Sequence, residues 1–205
     1  MIKLIKIFTN KLMEIPFAYK LVQILLAGKS HKDIIRSIFK IRKKEKNSKV
    51  IEIGCGLGDY STLFNSNYIG IDLSKDYIKF AKKKLPNKTF LQMDATNFRL
   101  NKKFNYAFSV GLYHHLNNKE TLKSIANVIS HIHKGGNFYI FDALLPNPPL
   151  KNIIGYFIRK FDRGEYVRNF YEYKTLLKDS GLNVIRIEKR KSGFLDWIFI
   201  VIKNG

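Results

Sequence analysis

The stretch Val50-Ile51-Glu52-Ile53-Gly54-Cys55-Gly56-Leu57-Gly58-Asp59-Tyr60-Ser61 decides how the rest of the chain is interpreted. A short apolar run leads into three glycines at alternate positions and then into residues typical of a helix start. Glycine has no Cβ, so the backbone of such a turn can come close to a ligand. The stretch therefore predicts a buried strand, a turn and a helix, which is the layout of a nucleotide-type cofactor site at the carboxyl edge of a parallel sheet.

Strand-like and helix-like segments alternate after this stretch. The strand candidates are short apolar runs, as expected for strands buried on both faces. They are Lys49 to Ile53, Asn67 to Leu73, Thr89 to Met93, Phe104 to Val110, Asn137 to Phe141, Asn183 to Lys189 and Trp197 to Lys203. This order predicts an α/β fold: a Rossmann-like, doubly wound, seven-stranded and mostly parallel sheet. The link Lys191-Ser192-Gly193 is too short for a parallel crossover, so we expect the last strand to be antiparallel.

Three further helices are expected between these strands. Ser74 is placed to cap a helix that Pro86 ends. Asn117 and Glu120 have the spacing of a capping box, and we expect the helix that they begin to stop at Gly135-Gly136. A further helix is expected between Asn169 and Lys178.

Residues 1–46 differ from the remainder in charge and pattern. They hold twelve Lys or Arg against three acids, and apolar residues recur at helical spacing. We expect a basic helical N-terminal extension over 1–46, with a third helix that starts near Ser30. Residues 47–205 are expected to form one α/β domain. The extension is predicted to act as a cap over the substrate entrance; an amphipathic anchor at a membrane surface is the alternative.

Composition narrows the class of protein further. The 205 residues carry a net charge of +21, which permits attraction to nucleic acid or to an anionic membrane. The single cysteine excludes an internal disulfide and a cysteine-based zinc site. The longest apolar runs are too short to cross a bilayer, and no secretory cleavage pattern is recognised. We therefore expect a cytoplasmic protein, with peripheral membrane association as the alternative.

The glycine spacing differs from the G-x-G-x-x-G of dinucleotide dehydrogenases. Glu52, followed by glycines at 54, 56 and 58, resembles motif I of the class I S-adenosylmethionine-dependent methyltransferases. An acid ends the second strand at Asp72 and another ends the third at Asp94, in the order of that family. The segments Phe104–Leu116 and Gly135–Phe138 resemble its fourth- and fifth-strand motifs, so the resemblance covers about residues 48 to 142.

This resemblance implies a cofactor, S-adenosylmethionine, and a set of binding residues. Asp72 is expected to accept hydrogen bonds from the ribose hydroxyls and Asp94 from the adenine amino group. Two structural alternatives stay open, because Glu52 would suit orienting the loop and Asp94 would suit capping the next turn. The full expected set is Glu52, Gly54, Cys55, Gly56, Gly58, Asp72, Leu73, Asp94, Ala95 and Ser109.

Candidate catalytic residues follow the fourth strand, where enzymes of this family meet the methyl group and the acceptor. They are Tyr113, His114 and His115. If the acceptor is a hydroxyl or an acidic carbon, a base with a pKa near neutral helps. We assign His115 to support and His114 or Tyr113 to the substrate side; the alternative is that both histidines only pack or bond the backbone. His131 and His133 are two apart and point to different faces of a helix, so no metal site is expected.

The predicted activity is methyl transfer to an O, N or C atom of a small-molecule or lipid-linked acceptor. Two alternatives are RNA or DNA methylation, suggested by the charge, and a non-catalytic cofactor-binding scaffold. The insertion Leu144 to Arg168 is expected to shape the acceptor pocket. In it, Arg163 and Arg168 would suit an anion on the substrate or a surface network with Asp162 and Glu165. The acceptor and the oligomeric state do not follow from the sequence.

Overall fold

The fold is taken from a computed structural model. It describes residues 34, 36, 37, 40, 41, 43, 48–64, 67–160, 162, 164–178 and 180–205. The six described positions between 34 and 43 are helical, as predicted for the third N-terminal helix. Ile34 is buried against the domain, and Ser37 accepts a hydrogen bond from Arg190 Nη1 at 2.8 Å. The rest of the predicted 1–46 extension, and Arg163, lie outside the described residues.

The sheet confirms the expected α/β fold. Its order is β3-β2-β1-β4-β5-β7-β6, and only β7 runs antiparallel to its neighbours β5 and β6. The first strand thus lies beside both β2 and β4, where the strand order reverses and a cofactor crevice forms. The strands are β1 Val50–Ile53, β2 Tyr68–Asp72, β3 Thr89–Gln92, β4 Phe104–Val110, β5 Ile132–Ala143, β6 Val184–Ser192 and β7 Leu195–Lys203.

Helices cover both faces of this sheet. Ser74 caps the first through the N–H of Tyr77, and Asn117 with Glu120 forms the predicted capping box of the second. Asn169 accepts hydrogen bonds from the N–H groups of Tyr171 and Glu172 at the start of the last helix. The helices are α1 Lys75–Lys84, α2 Asn118–Ser130, α3 Ile153–Lys160 and α4 Phe170–Lys178, with 3-10 turns at Asp59–Leu63, Tyr113–His115 and Pro149–Lys151.

Alternation along the strands divides the core into two layers. One layer includes Ile51, Ile53 and Ala107 and packs against α2 and α4. The other is aromatic, includes Tyr106 and Phe108, and packs against α1 and Ile34. The central strands are therefore covered on both faces. A site can form from the residues that follow their carboxyl ends.

The helix expected after Gly58 forms only a 3-10 turn, Asp59–Leu63. Two further elements differ from the sequence prediction. The helix α2 ends at Ser130 instead of continuing to Gly135, because Ile132 pairs with Phe104 and begins β5. Gly136 lies within that strand, where a Cβ would come 2.3 Å from the carbonyl oxygen of Asn105. The second difference is α3, which lies in a segment that we interpreted only as an insertion. Over the described ranges, no helix has the length and apolar content needed to span a bilayer.

Candidate cofactor and acceptor site

The loop after β1 has the conformation that its glycines permit. Gly54, Gly56 and Gly58 have φ of 71°, 52° and 74°, a left-handed region that L side chains rarely adopt. A Cβ on Gly58 would lie 2.6 Å from Phe90, whereas a Cβ on Gly56 would meet no described atom within 4 Å. The space beside the Gly56 backbone, where a side chain would stand, therefore holds no described atom.

Asp72 connects the end of β2 to this loop. Its Oδ2 accepts a hydrogen bond from Gly56 N at 2.8 Å, and its Oδ1 accepts one from Ser74 N at 2.9 Å. The carboxylate is half-buried, while the next side chain, Leu73, is 68% exposed. An oriented carboxylate and an open apolar side chain thus lie beside the glycine turn.

Glu52 has a different environment from Asp72. It is buried, and its Oε2 accepts a short hydrogen bond from the hydroxyl of Tyr68. Burial raises the pKa of Glu52 well above its ordinary value, although the bond from Tyr68 acts in the opposite direction. Cys55 is also buried, and burial raises the pKa of its thiol. Both side chains contact the protein interior, which suits a role in shaping the loop.

The remaining predicted cofactor residues lie at the same edge of the sheet. Asp94 Oδ1 accepts a hydrogen bond from Thr96 N at 2.8 Å, so it caps the turn after β3, as the structural alternative proposed. Ala95 follows in that turn and is half-buried. Ser109 is buried, and its hydroxyl donates to the carbonyl of Ile53 at 2.8 Å. Ser109 thereby joins the ends of β4 and β1.

His114 occupies a buried network of hydrogen bonds. Its Nδ1 lies 2.7 Å from Asp142 Oδ1, and the hydroxyl of Tyr173 donates to Asp142 Oδ2 at 2.5 Å. Burial alone would raise the pKa of Asp142, but His114 and the hydrogen bond from Tyr173 outweigh it and hold the pKa below its ordinary value. This network fixes the orientation of the His114 ring.

A loop from the insertion covers the other edge of His114. The Nε2 atom lies 3.5 Å from Asp162 Oδ1, and Tyr166 N donates to the His114 carbonyl at 2.9 Å. Gly164 is so close that a Cβ would come 2.1 Å from the imidazole. Asp162 is in turn paired with Arg159 Nη1 at 3.2 Å. His114 is thus enclosed between two carboxylates and a close-packed backbone.

The three candidate catalytic residues therefore have unequal access. Tyr113 is 1% exposed, its hydroxyl lies 3.3 Å from Ser124 Oγ, and burial raises the pKa of the phenol. His114 is 7% exposed. His115 is half-buried, and its ring lies against that of His114 with 4.1 Å between centroids. His114 is thus the more enclosed of the two rings and His115 the more accessible one, whereas we assigned His115 to support and His114 or Tyr113 to the substrate side.

Arg168 was expected to bind a substrate anion or to join a surface network, and the geometry supports neither. The side chain is 5% exposed. Its Nη1 donates to the carbonyl of Tyr113 at 2.9 Å and its Nη2 to that of Leu116 at 2.7 Å, while Nε donates to Asn118. Arg168 is therefore committed to holding the loop after β4 in place.

Sequence reasoning missed Asp142 and Tyr173, which orient His114. Asp142 follows the pattern already used for Asp72 and Asp94, an acid at or near the carboxyl end of a parallel strand, so that pattern could have found it. No comparable signal marked Tyr173, because its partner lies 31 residues away. Among the described residues, no group of three or more His, Cys, Asp or Glu side chains is arranged to hold a metal ion.

The strand order, the glycine loop and the acids at the carboxyl edge together define a fold of the class I methyltransferase type. Comparisons with known proteins agree with this fold. Residues 50–136 match the sequence model of a methyltransferase domain family. The solved structure of an S-adenosylmethionine-dependent methyltransferase from Clostridium acetobutylicum ATCC 824 superimposes with a TM-score of 0.68 at 16% identity, covering 92% of this chain and 98% of that one.

Two further comparisons concern proteins with stated substrates or ligands. A dTDP-3-amino-3,4,6-trideoxy-alpha-D-glucopyranose N,N-dimethyltransferase of Streptomyces venezuelae is 29% identical over 109 residues, covering 51% of this chain and 44% of that protein. The structure of magnesium protoporphyrin IX methyltransferase from Synechocystis PCC 6803 with bound S-adenosylhomocysteine has a TM-score of 0.62 at 18% identity, covering 84% of this chain and 83% of that one. The chain spans less than half the length of the curated relatives that it matches.

Residues 50–136 therefore match a methyltransferase domain family, and the chain has the fold of solved S-adenosylmethionine-dependent methyltransferases. The cofactor of this family is a sulfonium cation that carries an amino acid, a ribose and an adenine, with no phosphate. The residues present fit such a group, because the loop offers an open backbone at Gly56, an oriented carboxylate at Asp72 and an exposed apolar side chain at Leu73.

Proposed function

We propose that this protein is an S-adenosylmethionine-dependent methyltransferase that acts on a small-molecule acceptor, either free or lipid-linked. The contact between Asp72 Oδ2 and Gly56 N carries the proposal, because it sets a carboxylate beside the open backbone of the glycine turn. In this assignment Asp72 accepts hydrogen bonds from the ribose hydroxyls and Leu73 borders the adenine. Asp94 and Ala95 lie next to the adenine amino group. Ser109 and Glu52 act indirectly, since each is buried and bonded within the protein.

The protein itself has little covalent chemistry to perform in this reaction. When bound, the cofactor supplies an electrophilic methyl group on a sulfur that is already a good leaving group. The side chains at the edge of the sheet then contribute approach geometry and exclusion of water, which together supply several kcal/mol of the barrier. The enclosed loop around His114, held by Arg168 and Asp142, provides a rigid wall for that geometry.

We assign His115 to the acceptor side and His114 to its positioning. His115 is the more accessible of the two rings, and its ring lies against His114, which Asp142 orients. In this role His115 accepts the proton that an amine or hydroxyl acceptor loses. General base catalysis of this kind contributes about 10²–10⁴-fold.

The acceptor class follows by analogy with related proteins, which are named for methyl transfer to an amino sugar and to a porphyrin. Both are small molecules. The expectation of a nucleic-acid acceptor rested on charge alone. The basic residues Arg99, Lys102 and Lys103 line a cavity at the amino-terminal end of β4, which is the edge of the sheet opposite to the glycine turn. A small-molecule acceptor is therefore the function that we propose.

The test is transfer of label from methyl-labelled S-adenosylmethionine to a panel of amino sugars, hydroxylated metabolites, tetrapyrroles, lipid extract and RNA. We expect label in one small-molecule or lipid-linked fraction. With that acceptor, His115→Ala should lower the single-turnover rate by about 10²-fold or more, whereas His133→Ala, an exposed histidine in β5, should leave it unchanged. Label in RNA alone would replace this proposal, and an unchanged rate in His115→Ala would remove His115 from the mechanism.

A further inference from the structure

The helix α3 exposes apolar side chains while it buries a charged one. Its buried positions are Gly155 and Arg159, while Ile153, Ile154 and Phe157 are exposed. A surface helix of a water-soluble protein ordinarily turns its apolar residues towards the core. The fold does not use these three side chains as core, so their exposure needs another explanation.

The exposed apolar residues form one surface. Ile153 and Ile154 each lie three or four residues from both Leu150 and Phe157, which places the four along one side of the helix and the turn before it. Phe194, in the turn between β6 and β7, is a further exposed apolar residue close to α3, because its carbonyl oxygen accepts from Asn152 Nδ2 at 3.0 Å and lies near Gly155. We call these five residues the apolar patch; each is between 51% and 82% exposed.

The surroundings of the apolar patch are basic. No acidic residue occurs in positions 143–161, which include Lys151 and Lys160. Both lysines are exposed, as is Lys191 at the end of β6 beside the hairpin turn. Arg159 is turned inward, where it pairs with Asp162 and lies over the ring of Trp197. An exposed apolar stripe with flanking lysines matches an anionic lipid surface, since headgroups complement the lysines while acyl chains take up the apolar residues.

The apolar patch also lies at the functional edge of the sheet. The helix α3 follows the carboxyl end of β5, and the turn with Phe194 precedes β7 at that same edge. A membrane that met the patch would face the loops after β1, β2 and β4, where the cofactor site lies.

We propose that the apolar patch docks this protein onto an anionic membrane surface. The docking would present lipid-linked acceptors to the edge that holds the cofactor, and this second part rests on the proposed function. The docking itself needs no catalysis and no bound cofactor.

The test is co-sedimentation of the full chain with vesicles of phosphatidylcholine and phosphatidylglycerol, compared with phosphatidylcholine alone, across a sodium chloride series. We expect binding to the anionic vesicles that weakens as salt increases. Ile154→Ser combined with Phe157→Ser should weaken that binding by about tenfold or more, because less apolar surface enters the bilayer.

A matched control is available in the same chain. Ile154 is 55% exposed and Ile185, near the opposite end of β6, is 54% exposed. Ile154→Ser should weaken vesicle binding, whereas Ile185→Ser should leave it unchanged. Thermal melts of each variant establish that all remain folded.

Three results would overturn the proposal: absence of binding to anionic vesicles, equal binding by the double variant and the wild type, or a dimer that the double variant dissociates. Equal binding would assign the interaction to other basic parts of the chain. A dimer would make a second copy the occupant. Failure of the methyl-transfer assay with intact vesicle binding would contradict only the proposed function.

Discussion

The stability of the folded protein should depend on the protonation of the Glu52 side chain. Its pKa is raised by burial, so the folded state favours the neutral form. Such a group contributes its full stability below its ordinary pKa and loses that contribution as pH rises towards the folded value. Glu52→Gln has no proton to lose at this position. We therefore expect the melting temperature of the variant, relative to wild type, to increase as pH rises from about 4.5 to 8.

Thermal melts at several pH values measure this difference. Each kcal/mol should shift the melting temperature by about 2–4 °C in a chain of this size. Glu165→Gln, at an exposed position, is the control and should show no such trend. A constant difference between Glu52→Gln and wild type across the range would contradict a raised pKa at Glu52.

Arg168 provides a second test at the level of a single residue. Arg168→Met should lower the free energy of unfolding by about 3 kcal/mol, because the buried carbonyls of Tyr113 and Leu116 lose their donor. Urea unfolding measures the loss. Arg186→Met, which removes an exposed ion pair with Glu188, should cost less than about 1 kcal/mol. If Arg168→Met kept wild-type stability and lost only acceptor affinity, Arg168 would be an anion-binding residue after all.

At the scale of elements, Gly136 allows β5 to approach β4 closely. A Cβ at this position would lie 2.3 Å from the carbonyl oxygen of Asn105 and 2.5 Å from Ile132. Gly136→Ala should therefore force β4 and β5 apart and lower the free energy of unfolding by about 2 kcal/mol. Gly135→Asn is the control, because its Cβ would meet no described atom within 4 Å and asparagine tolerates its φ of 82°. Equal stability of Gly136→Ala and wild type would contradict this close approach.

The elements also show where sequence reasoning succeeds. The seven strands, the mostly parallel sheet and the antiparallel last strand followed from apolar runs and from a link too short for a crossover. The capping box at Asn117 fixed the start of α2. Its end was placed too late, because glycine is read as a helix stop, although Gly136 serves a close contact between strands. The helix α3 was missed because its apolar residues were attributed to a loop, yet Ile153, Ile154 and Phe157 have helical spacing.

The candidate site also contains residues that the sequence predicts and residues that it does not. The glycine turn and Asp72 were predictable because their chemistry is local and follows each strand. The network of His114 was not, since Asp142, Asp162 and Tyr173 come from three different elements. Tyr113, His114 and His115 differ in burial, and burial is a property of the packed chain. A motif thus locates the residues, while tertiary contacts decide which of them faces a ligand.

At the scale of the whole molecule, one edge of the sheet brings the separate features together. The glycine turn, the acids after β2 and β3, the two histidines and the apolar patch all follow carboxyl ends of strands or the turn beside them. The net charge of +21 adds a long-range attraction towards anionic surfaces, which salt screens within about 8–10 Å at physiological ionic strength. We expect cofactor and acceptor to meet at this edge.

The measurement that tests the central claim most directly is titration calorimetry of S-adenosylmethionine into the full chain. We expect one saturable site, and we expect Asp72→Asn to weaken the affinity by about tenfold or more, because the ribose hydroxyls lose a charged acceptor. Asp76→Asn, an exposed acid four residues away in α1, should bind as the wild type does. Absence of saturable binding, or equal affinity in wild type and Asp72→Asn, would contradict the assignment of this edge as the cofactor site.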